Sequence, residues 1–178
     1  MRVLVRTPLT PSAITWFGFI IALGAAALII TGYPFAAGFV VLLAGFFDIL
    51  DGALARRIEK ATPFGAVLDS TLDRLSEAVL LVAILVSFGG SLSVVLVVFL
   101  ALLGSLLVSY IRARAEAVGL ECQVGLFTRA ERVVVLALGL LLSHIANALV
   151  IALTIIVVFS FFTVVQRLVY VWQQRKTV

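Results

Sequence analysis

Charged residues are scarce in this sequence. Only 12% of its 178 residues are Asp, Glu, Lys or Arg, whereas soluble domains carry roughly 25%. Hydrophobic residues make up 63% of the chain, and the mean hydropathy is +1.27. This balance excludes an ordinary soluble domain and predicts an all-α integral membrane protein. A net charge of +4 in such a chain is typical of cytoplasmic flanks rather than of nucleic-acid binding.

Cysteine is scarcer still. The single Cys122 cannot form an internal disulfide, so we expect no oxidising framework. A cleavable signal peptide is not expected either, because the apolar run after Pro11 continues into more membrane-type sequence. The sequence has no low-complexity linker and no convincing repeat, and its length allows one domain, which we place at residues 1–178.

The few charges are not scattered. They fall in four clusters, Arg2–Arg6, Asp48–Glu77, Arg112–Arg132 and Arg167–Lys176. The three charge-free stretches between the clusters are each too long for one membrane span of roughly 20 residues. Each stretch has a turn-like break near its middle, reading TGYP, FGGS or SHIAN. Each stretch therefore predicts a helical hairpin.

Three hairpins predict six transmembrane helices with every charged cluster on one side. Because Lys and Arg mark the cytoplasmic side, we expect both termini and a polar active-site cavity to face the cytoplasm. The protein would be a multi-pass protein of the cell membrane. The predicted helices cover Ser12–Ile30, Phe35–Ile58, Pro63–Val86, Leu92–Val118, Thr128–Leu142 and Ala146–Gln174. Pro63 suits the first turn of the third helix, with Thr62 as its N-cap.

Four aspartates lie where the second and third predicted helices approach the cytoplasmic boundary. Asp48 and Asp51 share one face of the second helix, and Asp69 and Asp73 share one face of the third, on which Glu77 follows. A short loop joins these helices, so we expect them to be antiparallel neighbours whose polar faces meet. That arrangement would bring the four carboxylates together.

Four carboxylates in a cleft of low dielectric constant repel one another and need compensation. Two divalent cations would supply it, and ligands that are all oxygen favour Mg²⁺ or Mn²⁺. Two metals bridged by carboxylates are a common device of phosphoryl transfer. Gly52, Ala55 and Gly65 leave room for a ligand, and Arg56 offers a fork for phosphate oxygens. Pairing with neighbouring cations is the alternative, which accounts for single aspartates better than for the set.

Together these residues form the pattern D-x2-D-G-x2-A-R-x8-G-x3-D-x3-D, from Asp48 to Asp73. The pattern resembles the signature of the CDP-alcohol phosphotransferase family without a mismatch, and the family's six-helix layout covers nearly the whole chain. The resemblance implies transfer of a phosphatidyl group from a CDP-linked lipid to an alcohol, with release of CMP. It also implies that the four aspartates hold two metal ions and that the last, Asp73, is the general base. The residues that would bind the CDP-lipid are Ser12, Thr15, Gly52, Arg56, Thr62 and Gly65.

A basic group of residues indicates the acceptor. ARAE in the fourth helix, ER opening the fifth and QRL in the sixth resemble the phosphatidylinositol-phosphate synthase branch of the family. The matching Arg114, Arg132 and Arg167 would surround the phosphate of the acceptor, because three guanidinium forks suit a dianionic phosphate monoester. Membrane flanking is the simpler interpretation of Arg112 and Arg129, and a weaker one for Arg167 inside an apolar helix.

Several alternatives stay open at this point. The acceptor is inositol phosphate or a relative such as glycerol phosphate, the lipid is of the CDP-diacylglycerol type or ether-linked, and a homodimer is expected. A divalent-cation transporter is the rival class, although the outer hairpins lack the ionisable residues of a through-path. Two features depart from the family: TPS, with Ser12, replaces the usual TPN or TPD, and only about ten residues precede the first helix. A truncated sequence, or a member without the usual amphipathic N-terminal helix, would explain the second.

Overall fold

Six α-helices make up the computed structural model, which describes residues 11–58, 62–88 and 90–174, without the side chains of residues 11 and 47–58. The helices are α1 (Pro11–Ile30), α2 (Pro34–Ile58), α3 (Pro63–Phe88), α4 (Leu92–Ala117), α5 (Arg129–Leu141) and α6 (Ala148–Gln174). Each predicted helix is confirmed, with ends that differ from the prediction by at most two residues. The described ranges contain no strand.

Among the described residues, three helices are long and apolar enough to cross a membrane, judged by length and composition. They are Ser12–Ile30 of α1, all of α4 and all of α6. The apolar part of α2, Pro34–Phe46, is shorter, and α5 has 13 residues, which is roughly 20 Å of helix. A hydrocarbon core is about 30 Å thick. In the described ranges, length and composition therefore identify three spans, and the six predicted spans are not confirmed.

Local signals explain where the helices begin and end. The Gly65 amide donates to the Thr62 hydroxyl at 3.0 Å, so the predicted N-cap of α3 is confirmed. After α1, Gly32 turns the chain with φ of +86°, a conformation open to glycine without steric cost. Pro34 then opens α2, where its missing amide hydrogen is not needed.

The helices close into a ring. Around it, α1 packs against α2 and α3, α5 packs against α2 and α6, and α4 packs against α3 and α6. The core inside is made of aliphatic side chains such as Ile29, Ile84, Leu140 and Leu153. Larger apolar side chains, such as Phe162, remain exposed on the outside, as a surface that meets lipid requires.

The order of this ring corrects one expectation. We expected α2 and α3 to be direct neighbours, but in the described part of the chain their principal contacts are with α1, which packs against both. Small buried residues of α1, Ala22, Ala25 and Ala26, allow both helices to approach it closely.

Close packing of α5 on α6 depends on a glycine. A Cβ added at Gly139 would lie 2.5 Å from the Cβ of Ala152, a distance that forces the helices apart. Gly139→Ala should therefore lower the free energy of unfolding by about 1–3 kcal/mol. Thermal unfolding of the detergent-solubilised protein would measure the change.

Gly24→Ala is the matched control, because nothing lies within 4 Å of a Cβ added at Gly24 in α1. The same added methyl group should leave stability unchanged or raise it slightly, since Ala favours helix over Gly by about 1 kcal/mol. Equal effects of the two substitutions would contradict the close α5–α6 contact.

Candidate active site

Polar side chains gather around a cavity inside the ring. The cavity lies between residues of α1, α2, α3, α5 and α6 and has a volume of about 40 Å³, enough for a few water molecules. Its lining is mostly apolar, so the polar residues stand out as a set. They are Thr15, Asp73, Ser76, Glu77, Arg129 and Arg132.

Asp73, the predicted base, already has a cationic neighbour. The Nη1 atom of Arg129, the first residue of α5, lies 2.9 Å from Oδ1 of Asp73 in α3. Both side chains are largely buried, with 26% and 20% of their surface exposed. Asp69, one helical turn earlier on α3, is exposed. The face of α3 that carries the aspartates thus runs from the surface towards the start of α5.

A second and deeper ion pair joins the same two helices. Arg132 donates from Nε to Oε1 of Glu77 at 2.6 Å and from Nη2 to Oε2 at 3.0 Å. Ser105 of α4 donates to Glu77 Oε1 at 2.8 Å, so three helices meet at one carboxylate. Arg132 and Glu77 are only 2% and 8% exposed. Removal of one partner of such a buried pair typically costs about 3–5 kcal/mol.

The two ion pairs explain why cations open α5. A positive charge at a helix N-terminus opposes the macrodipole, so Arg129 and Arg132 do not favour this helix by themselves. Each instead meets a carboxylate of α3, and those carboxylates are one turn apart, as the arginines are. The helix end itself is capped separately, because Thr128 donates to Glu131 Oε2 from its amide at 2.7 Å and its hydroxyl at 2.6 Å.

Arg167 binds backbone in the described structure. It is 4% exposed, donates from Nε to the carbonyl of Val124 at 2.8 Å, and donates from Nη1 to the carbonyl of Val108. It thereby ties α6 both to α4 and to the segment that joins α4 to α5. Thr163 strengthens the same attachment by accepting from the Phe127 amide at 3.2 Å.

Comparison with known proteins identifies the family. The family model described as CDP-alcohol phosphatidyltransferase matches residues 8–169. The chain belongs to the CDP-alcohol phosphatidyltransferase family. The resemblance noted from the spacing of the aspartates is thereby confirmed.

Relatives within this CDP-alcohol phosphatidyltransferase family cover nearly the whole chain. An archaetidylinositol phosphate synthase of Methanothermobacter thermautotrophicus is 40% identical over 96% of this chain and 87% of its own length. A phosphatidylinositol phosphate synthase of Mycobacteroides abscessus is 38% identical over 93% of this chain and 78% of its own. The crystal structure of the Mycobacterium tuberculosis phosphatidylinositol phosphate synthase with CDP-DAG bound matches with a TM-score of 0.84 and 36% identity, over 96% and 90% of the two chains.

The predicted metal ligands are only partly visible. Asp69 and Asp73 share a face of α3, whereas Asp48 and Asp51 lie in the helical part of α2 whose side chains are outside the described residues. Within the residues that are described, no group of three or more His, Cys, Asp or Glu could hold a metal ion. The set of four aspartates therefore stays a prediction.

The structure describes four of the six residues predicted to bind the CDP-lipid. Ser12 is partly buried near the start of α1, and Thr15 lines the cavity one turn later. Thr62 and Gly65 form the cap of α3. The side chains of the remaining two predicted positions lie outside the described residues; these are Gly52 and Arg56.

The predicted arginine trio is not one exposed cluster. Arg132 and Arg167 are buried, but Arg114 is exposed near the end of α4. Arg112, which we interpreted as membrane flanking, pairs with Glu116 at 2.8 Å. The role of the trio in acceptor binding stays a prediction.

Glu77 is the site residue whose role was not predicted. It was placed on the aspartate face of α3, but nothing in its own position identified Arg132 as its partner. The signal that could have found the pair is the matched spacing: acidic residues four apart on one predicted helix, and arginines three apart on another. Ser105 gave no such signal, because a serine in an apolar helix is unremarkable.

We predict that Arg167→Lys loosens the segment between α4 and α5. One ammonium group cannot keep the two-pronged contact with the carbonyls of Val108 and Val124, and a hydrogen bond to a charged group contributes about 1.5–3 kcal/mol. Hydrogen exchange of residues 118–128 should become faster, as mass spectrometry would show. Arg114→Lys, an identical change at an exposed site of α4, should leave exchange unchanged, and a similar response in both variants would refute the anchor role.

Proposed function

We propose that this chain transfers a phosphatidyl or archaetidyl group from a CDP-linked lipid to a hydroxyl of inositol phosphate, releasing CMP, in phospholipid biosynthesis. One observation carries the proposal: the complete eight-residue signature occurs in a chain that is similar over nearly its whole length to enzymes named for this reaction. Those enzymes include both archaetidyl and phosphatidyl synthases. The donor lipid is therefore proposed as a class, with a CDP-linked head group and either lipid core.

A divalent metal dependence is part of the proposal. The Mycobacterium tuberculosis relative has also been solved in complex with manganese and citrate, with a TM-score of 0.85 and 36% identity. In this chain two Mg²⁺ or Mn²⁺ ions would be held by Asp48, Asp51, Asp69 and Asp73, whose all-oxygen donor set suits such ions. When bound, the ions would neutralise charge on the diphosphate of the donor.

The remaining steps are assigned to the chain's own side chains. Asp73 accepts the proton of the acceptor hydroxyl, and its 2.9 Å contact with Arg129 orients the carboxylate for that task. The resulting alkoxide attacks the phosphorus on the lipid side, the phosphoanhydride bond breaks, and CMP leaves beside Arg56. Arg114, Arg132 and Arg167 bind the phosphate of the acceptor. Thr15 and Ser12 of α1, with Gly52, Thr62 and Gly65, contact the CDP-lipid.

The proposal includes a membrane arrangement. All six helices would cross the membrane as one domain of residues 1–178, with both termini and the active site on the cytoplasmic side of the cell membrane. Positive charge concentrated at one end of the helices supports this orientation. A homodimer is proposed as well, because large apolar side chains are exposed on α3 to α6 and could be covered by a second copy.

The acceptor can be tested with the purified protein, Mg²⁺ and a radiolabelled CDP-lipid. CMP release should be fastest with myo-inositol phosphate, slower with glycerol 3-phosphate, and close to background with free inositol or serine, which lack the dianionic group. Preference for glycerol 3-phosphate would replace the proposed acceptor with its closest alternative. Use of free inositol as efficiently as its phosphate would overturn the acceptor-phosphate site.

The general base is tested by Asp73→Asn. Loss of a positioned proton acceptor should lower kcat about 10²–10⁴-fold, while the circular dichroism of the helical bundle remains unchanged. Glu121→Gln, which removes an exposed carboxylate outside the site, is the control and should retain full activity. Appreciable transfer by the Asp73 variant would rule out this residue as the base.

A further inference from the structure

The buried Arg132 does not use its whole guanidinium group within the protein. Its Nε and Nη2 atoms donate to Glu77 at 2.6 and 3.0 Å, but Nη1 is buried and has no hydrogen-bond partner among the described residues. Buried donors without a partner are costly and rare. Arg132 and Asp73 line the same cavity, so this donor belongs to a residue that shares the cavity with the predicted base.

Glu77 is itself held in place. Its Oε1 accepts from Ser105 Oγ at 2.8 Å as well as from Arg132 Nε, so the carboxylate is fixed by α4 as well as by α5. A carboxylate fixed in this way accepts from Arg132 through both of its oxygens. The planar guanidinium can then adopt only one orientation. The direction of Nη1 is therefore set by Glu77 and not by Arg132 alone.

Stability alone does not account for this arrangement. A buried ion pair often contributes no more than well-packed apolar residues would, because both charges must be desolvated. Moreover, Arg129 and Arg132 stand one turn apart at the start of α5, and their charges repel each other. A dianion beside them would satisfy the free donor and offset that repulsion, so the geometry indicates an anionic ligand.

We propose that Glu77 is a positioning residue for recognition of the acceptor's phosphate. It holds Arg132 so that Nη1 is available to the phosphate of the acceptor, with Ser105 of α4 fixing Glu77. The inference rests on the proposed function, which supplies the phosphorylated acceptor. Glu77 itself touches neither substrate and acts through Arg132.

Glu77→Gln keeps the shape of the side chain and removes its charge. CMP release should be measured while myo-inositol phosphate is varied at saturating CDP-diacylglycerol, and the reverse. We expect the KM for the phosphorylated acceptor to rise about 10-fold or more, as loss of a charge-assisted hydrogen bond would cause, with the KM for the lipid within about 2-fold. In an Arg132→Gln background, the same substitution should add no further rise, because Glu77 would have nothing left to position.

Two variants make the measurement specific. Glu121→Gln applies the same chemical change to an exposed carboxylate in the segment between α4 and α5 and should leave both KM values unaltered. Ser105→Ala leaves the ion pair and removes only the contact that fixes Glu77, so it should raise the acceptor KM by a smaller factor, about 2- to 3-fold. If Glu77→Gln does not fold, Ser105→Ala carries the test, and no selective rise in that variant overturns the proposal.

The outcomes separate positioning from stability and from the proposed function. A parallel loss in kcat and both KM values, together with a lower melting temperature, would mean a structural role only. Calorimetry of myo-inositol phosphate binding without CDP-lipid gives a second readout, in which the Glu77 variant should bind at least about 10-fold more weakly. If the protein turns over another phosphate monoester and the Glu77 effect appears there, the proposed acceptor fails while the positioning role stands. If wild-type protein binds no phosphate monoester, both fail.

Discussion

The buried contact between Glu77 and Arg132 is the interaction on which the rest of this structure depends. It crosses the interior of the helical ring, from α3 to α5, and Ser105 extends it to α4. Neither charge can be left alone in so apolar a bundle, so α3 and α5 have little freedom to slide past each other. That constraint also fixes Asp73 and Arg129, each about one turn from the pair. Fold and candidate active site are therefore stabilised by the same few atoms.

The two ion pairs with α3 place the start of α5 in the candidate active site. The helix is short, with 13 residues, and carries two arginines where the macrodipole disfavours them. The Thr128–Glu131 cap stabilises the helix end independently, so the arginines are available for carboxylates of α3. Among the described residues, Nη1 of Arg132 has no hydrogen-bond partner, whereas Arg129 pairs with Asp73, the predicted base. An anionic substrate would thus enter a region where cations are already arranged but partly neutralised.

The sequence predicted the helices well because their boundaries are local. The signals that mark them involve residues only a few positions apart. They are the ends of the charge-free stretches, the prolines Pro34 and Pro63, and the capping Thr62. Every helix end lies within two residues of its predicted position. The expectation that α2 and α3 are direct neighbours was wrong for the described part of the chain. It was inferred from loop length, whereas α1, with small buried residues such as Ala25, packs against both helices. The Glu77–Arg132 pair was not predicted because its partners are 55 positions apart.

The sequence motif and the structure indicate different roles for Arg167. The resemblance assigns it to the acceptor's phosphate, yet the described structure uses its Nε and Nη1 atoms to hold the carbonyls of Val124 and Val108. The two roles are compatible because the guanidinium has a third nitrogen, which lies close to Gly125, where an added Cβ would be 3.0 Å from Nη2. Arg132 is arranged in a similar way, since its Nε and Nη2 atoms donate to Glu77. In both residues two nitrogens contact the protein and limit the orientation of the third, which is the geometry that the proposed phosphate site would need.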